Sequence, residues 1–266
     1  MNQTLDTVTQ PELWKMALMI GPKCLDVALY PPLARDEMIW HSYAYEEPTL
    51  QAIEEIVYGN PPLLADYKSV ACIVDYTPAV AVPSEADAEQ ATVIYNATVG
   101  EESDDEVELY DCGGGVSVAI RQPRQIADFI TRTFFNVKMM SAAANRIAYF
   151  MACSQKGTAV YAPVEGDRTR VVAVSDGNLL LANDFAARTP SDAAYYIMWA
   201  IGELGLDAAE TPVYAGSVGM RHSELHELLS KYIISASALP MPPLRYRGSR
   251  ATLEAPFDFL ILPLCE

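Results

Sequence analysis

Residues 158–185 read TAVYAPVEGDRTRVVAVSDGNLLLANDF and decide the fold of the second half of the chain. Three apolar runs, TAVYAPV, TRVVAVS and NLLLANDF, are separated by short polar turns that each contain a glycine. Runs rich in branched and aromatic side chains are typical of β-strands, and turns this short join antiparallel neighbours. The pair Asp176-Gly177 favours a two-residue turn in which both residues have positive φ. The stretch therefore predicts three consecutive antiparallel strands. The pair Asp176-Gly177 is explained by its place in a turn, without a catalytic role.

The residues that follow predict a helix, a strand, a second helix and a short strand. Residues 191–207 carry an apolar stripe at helical spacing, with Ser191 as the N-terminal cap and Gly205 as the stop. The remaining predicted elements are the strand PVYAG (212–216), the helix RHSELHELLSKYI (221–233) and the short strand IISASAL (233–239).

The first half of the chain repeats this order of elements. Its three opening strands are LWKMALMI (13–20), CLDVALY (24–30) and MIWHSYAY (38–45). A helix capped by Thr49, the strand SVACIVDY (69–76) and a helix from about Ser84 to Asn96 follow. A supersecondary order that recurs in both halves is evidence of a duplicated domain. We therefore expect two similar domains, 1–155 and 156–266.

Additional elements lie between the two copies. An acidic run at 101–106 is typical of an exposed loop, and it precedes a predicted hairpin near 107–121 around Gly113-Gly114-Gly115. No Lys-Ser/Thr pair or helix follows the glycines, so they do not match a phosphate-binding P-loop. The sequence then predicts helices at 123–133 and 141–153, with the strand FFNVKMM (134–140) between them.

Composition excludes several classes of protein. The chain has 266 residues, 51% of them hydrophobic, and a net charge of −17, which repels nucleic acids and anionic lipid headgroups. No apolar run approaches the ~20 residues of a membrane helix, and the first residues do not resemble a secretory signal. The five cysteines are scattered and form no Cys-x-x-Cys pair, which favours reduced thiols over a metal site. We therefore expect an acidic cytoplasmic protein with neither a membrane span nor a nucleic-acid partner.

The doubled order of strands and helices resembles the actin-like ATPase superfamily, in which two ribonuclease H-like domains face a nucleotide-binding cleft. The residues GNLLLANDFAARTPSDAAYYIMWAIGELGLD, TPVYAGSV and LILPLCE resemble a family of Bacteroidetes proteins, domain-of-unknown-function family 3822. The resemblance implies a mixed α/β fold of this duplicated, actin-like kind. It implies no particular activity for the family.

In the actin-like superfamily, each domain carries an Asp-x-Gly phosphate loop between its first two strands. The resemblance places Met19-Ile20-Gly21 and Val164-Glu165-Gly166 in that register, so each glycine is kept and each acid is replaced by an apolar residue. A Met or Val side chain cannot hold Mg²⁺, which phosphoryl transfer requires. Lys23 could still approach a phosphate, and Asp26, Glu165 or Asp167 could replace the missing acids.

The superfamily's adenosine site lies where a strand ends in paired glycines before a helix. Here Gly216, Ser217 and Gly219 occupy that position in VYAGSVGMRHSEL, and the following amides could hold an anion. We expect no catalytic or metal-binding residues and no required cofactor, although ATP with Mg²⁺ could still bind. The predicted function is a pseudo-ATPase scaffold or adaptor that binds a protein partner. The alternative is an ATPase or kinase whose acidic residues have moved to the candidate positions above.

Overall fold

The protein is described from a computed structural model that covers residues 8–32, 38–100, 105–216, 224–240 and 255–265. These residues divide into two compact units, one up to Asn145 and the other from Arg146 onward. The division falls within the helix Ala142–Cys153. None of the helices in this part of the chain is long and apolar enough to cross a membrane.

The first unit contains a five-stranded sheet in the order β3-β2-β1-β4-β8 and a three-stranded sheet in the order β5-β7-β6. The strands are β1 (Lys15–Ile20), β2 (Cys24–Tyr30), β3 (Ile39–Ala44), β4 (Ser69–Val74), β5 (Ala79–Pro83), β6 (Val107–Gly113), β7 (Val116–Arg121) and β8 (Lys138–Ser141). The helices are α1 (Leu50–Gly59), α2 (Ala88–Val99), α3 (Arg124–Thr133) and α4 (Ala142–Cys153). The residues of α4 from Arg146 onward belong to the second unit.

Buried apolar side chains on neighbouring central strands build the core of the first unit. Leu18 of β1 lies beside Val27 of β2 and Cys72 of β4, and all three side chains are buried. This face packs against Ile53 and Val57 of α1, together with the apolar side of α3. The opposite face is apolar as well, as expected for central strands that are covered on both sides.

The second unit contains a five-stranded sheet in the order β11-β10-β9-β12-β13, the same arrangement as the five-stranded sheet of the first unit. Its elements are β9 (Thr158–Glu165), β10 (Arg168–Ser175), β11 (Asn178–Ala186), α5 (Pro190–Glu203), β12 (Val213–Gly216), α6 (Glu224–Leu229), β13 (Ala236–Ser237) and α7 (Phe257–Cys265). One face of the sheet packs against α5 and α6 through Ala193, Ile197 and Leu225.

The other face of this sheet carries a row of stacked aromatic rings. Phe150 of α4 stacks on Tyr161 of β9 with ring centroids 4.3 Å apart, and Phe257 of α7 stacks on Phe150 at 5.6 Å. Tyr161 in turn stacks on Tyr214 of β12. A buried ion pair of 2.7 Å between Arg146 of α4 and Asp258 of α7 lies within the same unit. Helix α7 is therefore held by both aromatic packing and a buried charge pair.

Several boundaries differ from those that the sequence predicts. The predicted cap Ser191 is wrong, because Thr189 accepts a hydrogen bond from the Asp192 N–H and completes a capping box with it. Gly205 does end α5, with a φ of +62°. The helix expected from about Ser84 begins at Ala88, where Asp87 and Gln90 form another capping box.

Other corrections concern short elements. The strand expected over 134–140 begins later and runs from Lys138 to Ser141, and the strand expected over 233–239 is confined to Ala236–Ser237. Of the helix expected over 221–233, residues 221–223 lie outside the described residues, the helix covers Glu224–Leu229, and residues 230–233 are not helical. Strand β5 and helix α7 were not predicted. Because β5 pairs with β7, the predicted hairpin of β6 and β7 forms part of a larger sheet that packs against α2.

Candidate functional site

The turn between β1 and β2 carries the first candidate residues, Gly21 and Lys23. The Gly21 N–H donates to the Cys24 carbonyl across the turn (2.9 Å). A Cβ on Gly21 would lie 3.3 Å from that carbonyl oxygen, so the close approach of the two strands favours glycine. Pro22 has no N–H to offer. Two of the turn's amides are therefore unable to donate to a phosphate in this conformation.

The segment that follows β3 forms hydrogen bonds with this turn. The Tyr45 hydroxyl donates to the Gly21 carbonyl (2.6 Å), and the Lys23 ammonium donates to the Glu46 carbonyl (2.7 Å). Burial raises the pKa of the Tyr45 hydroxyl, which keeps it protonated and able to donate. Lys23, predicted as a possible phosphate contact, thus makes a hydrogen bond to the backbone of its own unit.

Asp26 is buried on β2, directly across from Met19 of β1. Its carboxylate accepts hydrogen bonds from the Trp40 indole N–H (3.2 Å) and from the Cys24 thiol (3.1 Å). Burial, followed by the hydrogen bond to Asp26, raises the pKa of Cys24 to about 12. The thiol therefore stays protonated at neutral pH and acts as a donor to Asp26.

A second acid, Asp75, lies near this end of the sheet and was missed by the sequence analysis. It follows β4, it is 8% exposed, and its N–H donates to the Ile20 carbonyl (2.9 Å). The charge of Asp75 contributes to the raised pKa of Cys24. Within the described ranges, no group of three His, Cys, Asp or Glu side chains is arranged to hold a metal ion. The acids that are described do not form a recognisable cation site.

The turn between β9 and β10 carries the second set of candidates, Glu165, Gly166 and Asp167. Gly166 has a φ of +60°, as a type II′ turn requires at its first central position. The Glu165 carboxylate accepts a hydrogen bond from the Phe257 N–H at the start of α7 (2.7 Å). Its other oxygen accepts from Arg170 (2.6 Å), whose side chain is 4% exposed. Glu165 therefore caps a helix and pairs with a buried cation.

Asp167 is exposed at the tip of the same turn, where its carbonyl accepts from the Ala187 N–H (2.7 Å). Gly216 ends β12 with a φ of +123° and lies beside Pro163 of β9, so it shares one end of the sheet with this turn. A Cβ on Gly216 would meet no atom within 4 Å, and its backbone angle alone favours glycine. The other adenosine-site candidates, Ser217 and Gly219, lie outside the described residues.

The Asp176-Gly177 turn has the predicted conformation, with φ of +49° and +76°. The turn also forms hydrogen bonds with the residues that join α4 to β9, and the sequence did not predict these bonds. The Asp176 carboxylate accepts from the Gly157 N–H (2.7 Å), and the Gly177 N–H donates to the Ser154 carbonyl just beyond α4 (2.6 Å). This acid-glycine pair is therefore a hairpin turn that also fastens the end of a helix.

The strand orders and the helices that cover the sheets define an actin-like ATPase fold. The structure is similar to a Bacteroides thetaiotaomicron protein of actin-like ATPase fold and unknown function, with a TM-score of 0.75 and 17% identity over 98% of this chain and 99% of that one. It is also similar to a chain of the PilM–PilN type IV pilus biogenesis complex, with a TM-score of 0.53 and 12% identity over 96% of this chain and 100% of that one.

The sequence itself places the chain more narrowly. Residues 2–235 match the family described as "Protein of unknown function (DUF3822)", and the chain belongs to that family. A comparison with curated protein sequences gave no match.

Proposed function

We propose that this protein is a cytoplasmic scaffold of actin-like fold that binds another protein and does not turn over ATP. The observation that carries the proposal is the use of the Glu165 carboxylate. Both of its oxygens are engaged within its own unit, by Arg170 and by the start of α7. The residue nearest the missing acid of the second phosphate loop thus has a structural role.

The first unit supports the same proposal. Met19 stands where the resemblance requires an acid, and Lys23 donates to the Glu46 carbonyl. A catalytic phosphate loop needs free backbone N–H groups and a carboxylate that manages Mg²⁺. The turn between β1 and β2 has Pro22 at its centre and a Gly21 N–H that is already donated.

A protein partner fits the charge of the chain better than a nucleic acid. With 35 acidic and 18 basic residues, the surface repels phosphates. A chain of similar fold occurs in the PilM–PilN complex, which is a precedent for this fold within a protein assembly. The common strand order of the two five-stranded sheets also supports our proposal that 1–155 and 156–266 are copies of one domain.

Thermal unfolding with and without Mg-ATP tests the proposal. A ligand at ~100 times its dissociation constant would stabilise the protein by roughly 2.7 kcal/mol. For a chain of this size, that corresponds to a rise in melting temperature of roughly 5–10 °C. We expect no such rise and no release of phosphate from ATP. A rise that Gly216→Arg abolishes and Gly113→Arg preserves would contradict the proposal, since both glycines have positive φ and open space around them.

One observation favours the alternative, an ATP-binding enzyme with relocated acids. Asp26 lies directly across from Met19, one strand away from the position of the missing acid. If Asp26 replaces that acid, the protein should release phosphate from Mg-ATP, and Asp26→Asn should abolish the release while Asp66→Asn, on the exposed segment before β4, should not. Under the scaffold proposal neither variant changes the phosphate released, because there is none.

A further inference from the structure

We propose that an aromatic surface on α5 binds a positively charged segment of the partner protein. The α5 aromatic surface consists of Phe185 of β11 and of Tyr195, Tyr196 and Trp199 of α5. The proposal rests on the function proposed above, because it names the place on the scaffold where a partner binds.

Helix α5 carries aromatic rings on its outward side. Ala193, Ile197 and Ala200 face the core and are fully buried, whereas Tyr195 is 62% exposed and Trp199 is 39% exposed. Tyr195 and Trp199 are four residues apart and therefore lie on the same side of the helix. Large apolar side chains exposed together mark interaction sites more often than single exposed ones do.

Ring contacts fix the arrangement of this surface. Phe185 stacks on Tyr196 with centroids 4.3 Å apart, and Trp199 meets the Phe185 ring edge-on at 5.7 Å. Tyr195 meets Tyr196 edge-on at 5.3 Å. Rings that are already held in place lose little conformational freedom when a partner binds. Tyr and Trp are also the residues most enriched at the energetic centres of protein interfaces.

The charges around the surface define the chemistry of the partner. Residues 185–210, which span Phe185 and α5, contain four acids, Asp192, Glu203, Asp207 and Glu210, and one base, Arg188. A Lys or Arg side chain can both pair with these carboxylates and stack on the exposed rings. The complementary segment therefore carries Lys or Arg among apolar side chains.

A second copy of this chain fits the same surface poorly. In a twofold dimer the same patch meets itself, so the acids around each α5 would face the acids of the other copy. Each chain also carries a net charge of −17. Like charges brought together at an interface oppose association, and the α5 aromatic surface is thus better matched to a basic partner than to itself.

Selection from a display library of random 12-residue peptides on the full chain tests this inference. We expect enriched peptides to combine Lys or Arg with aromatic or aliphatic residues. Their fluorescence anisotropy should report binding that weakens as salt rises from about 0.05 to about 0.5 M. The double variant Tyr195→Ala/Trp199→Ala should bind them at least about tenfold more weakly.

Two further variants make the test specific. Tyr58→Ala is the matched control, because Tyr58 of α1 is 60% exposed and also makes one edge-on ring contact, with Phe129; it should leave peptide binding unchanged. Glu203→Lys keeps every ring and reverses one charge, and it should weaken binding several-fold and flatten the salt dependence.

Three outcomes would overturn the inference: no enriched peptides, peptides that bind the double variant as tightly as the original chain, or peptides without an excess of basic residues. Sedimentation of the protein alone should show a species whose mass the double variant does not change. A dimer that the double variant dissociates would mean that the surface binds a second copy instead. None of these results concerns Mg-ATP, so failure here is separate from failure of the scaffold proposal.

Discussion

Replacing Glu165 with alanine should destabilise the second unit by about 3 kcal/mol. Loss of the hydrogen bond to the Phe257 N–H removes a helix cap, which is worth about 0.5–2 kcal/mol. Breaking a fully buried ion pair costs about 3–5 kcal/mol. Here the loss should be about 1–2 kcal/mol, between that value and the value of about 0.2–1 kcal/mol for an exposed pair, since the Glu165 side chain is 24% exposed and Arg170 keeps Asp184 at 3.7 Å.

The conservative variant separates the two contributions. Glu165→Gln keeps an oxygen that can accept from the Phe257 N–H but loses the charge that pairs with Arg170. We expect it to destabilise the unit by about 1–2 kcal/mol, roughly half the effect of alanine. Asp167→Ala is the control, because this exposed side chain lies in the same turn; its effect should stay within about 0.5 kcal/mol.

Urea unfolding can be followed within the second unit alone. Trp14 and Trp40 belong to the first unit and Trp199 to the second, so a background of Trp14→Phe and Trp40→Phe leaves Trp199 as the reporter. Hydrogen exchange of the α7 amides should also accelerate in Glu165→Ala, because the helix loses its cap. A change in unfolding free energy below about 0.5 kcal/mol, or unchanged exchange in α7, would refute the structural role assigned to Glu165.

Three further predictions concern other contacts described above. Asp176→Ala should destabilise the protein by about 1–2 kcal/mol, because the Gly157 N–H loses its acceptor and alanine adopts the positive φ of this position less readily. Asp176→Asn keeps an acceptor and tolerates positive φ, so it should be nearly neutral in thermal unfolding. Tyr45→Phe should lower the unfolding free energy by about 1 kcal/mol, measured in urea, because the Gly21 carbonyl loses its donor; an unchanged value would contradict that bond. Burial raises the pKa of Cys24 to about 12, so the native protein should resist labelling of this thiol by iodoacetamide at pH 8. Mass spectrometry should show that Cys24 reacts once urea unfolds the protein. Rapid labelling of the native protein would contradict the raised pKa.

Much of the fold follows from local patterns in the sequence. The apolar runs of β9, β10 and β11 and the short turns between them specify the hairpins, because strand composition and turn chemistry act over a few residues. The cap of α5 was also predictable from the sequence. Thr189 is a better N-terminal signal than Ser191, because Pro190 follows it at the first helical position and Asp192 lies three residues on.

The elements that were missed carry conflicting local signals. Strand β5 is only five residues long, AVAVP, and ends in a proline. Helix α7 includes Pro263, and a proline inside an apolar run argues against a helix. Both elements are stabilised by packing against other parts of the chain, which propensity does not report.

The candidate site was predictable as a set of positions but not as a set of contacts. The sequence identified Glu165, Gly166 and Asp167 as neighbours in one turn. Nothing local indicated that Glu165 would accept from Phe257, which is 92 residues away. A carboxylate free to bind a cation and one that caps a distant helix look alike in sequence, and only tertiary structure separates them.

The position of α7 has a consequence for synthesis on the ribosome. Arg146 and Glu165 are made early, whereas their partners Asp258 and Phe257 follow 112 and 92 residues later. Until those residues leave the exit tunnel, the nascent second unit must keep the Arg146 guanidinium hydrated and its aromatic row incomplete. Contacts between such distant residues form slowly and late. We expect pulse proteolysis of nascent chains, stalled on an added linker long enough to span the exit tunnel, to show the second unit becoming resistant only after residue 258 has emerged.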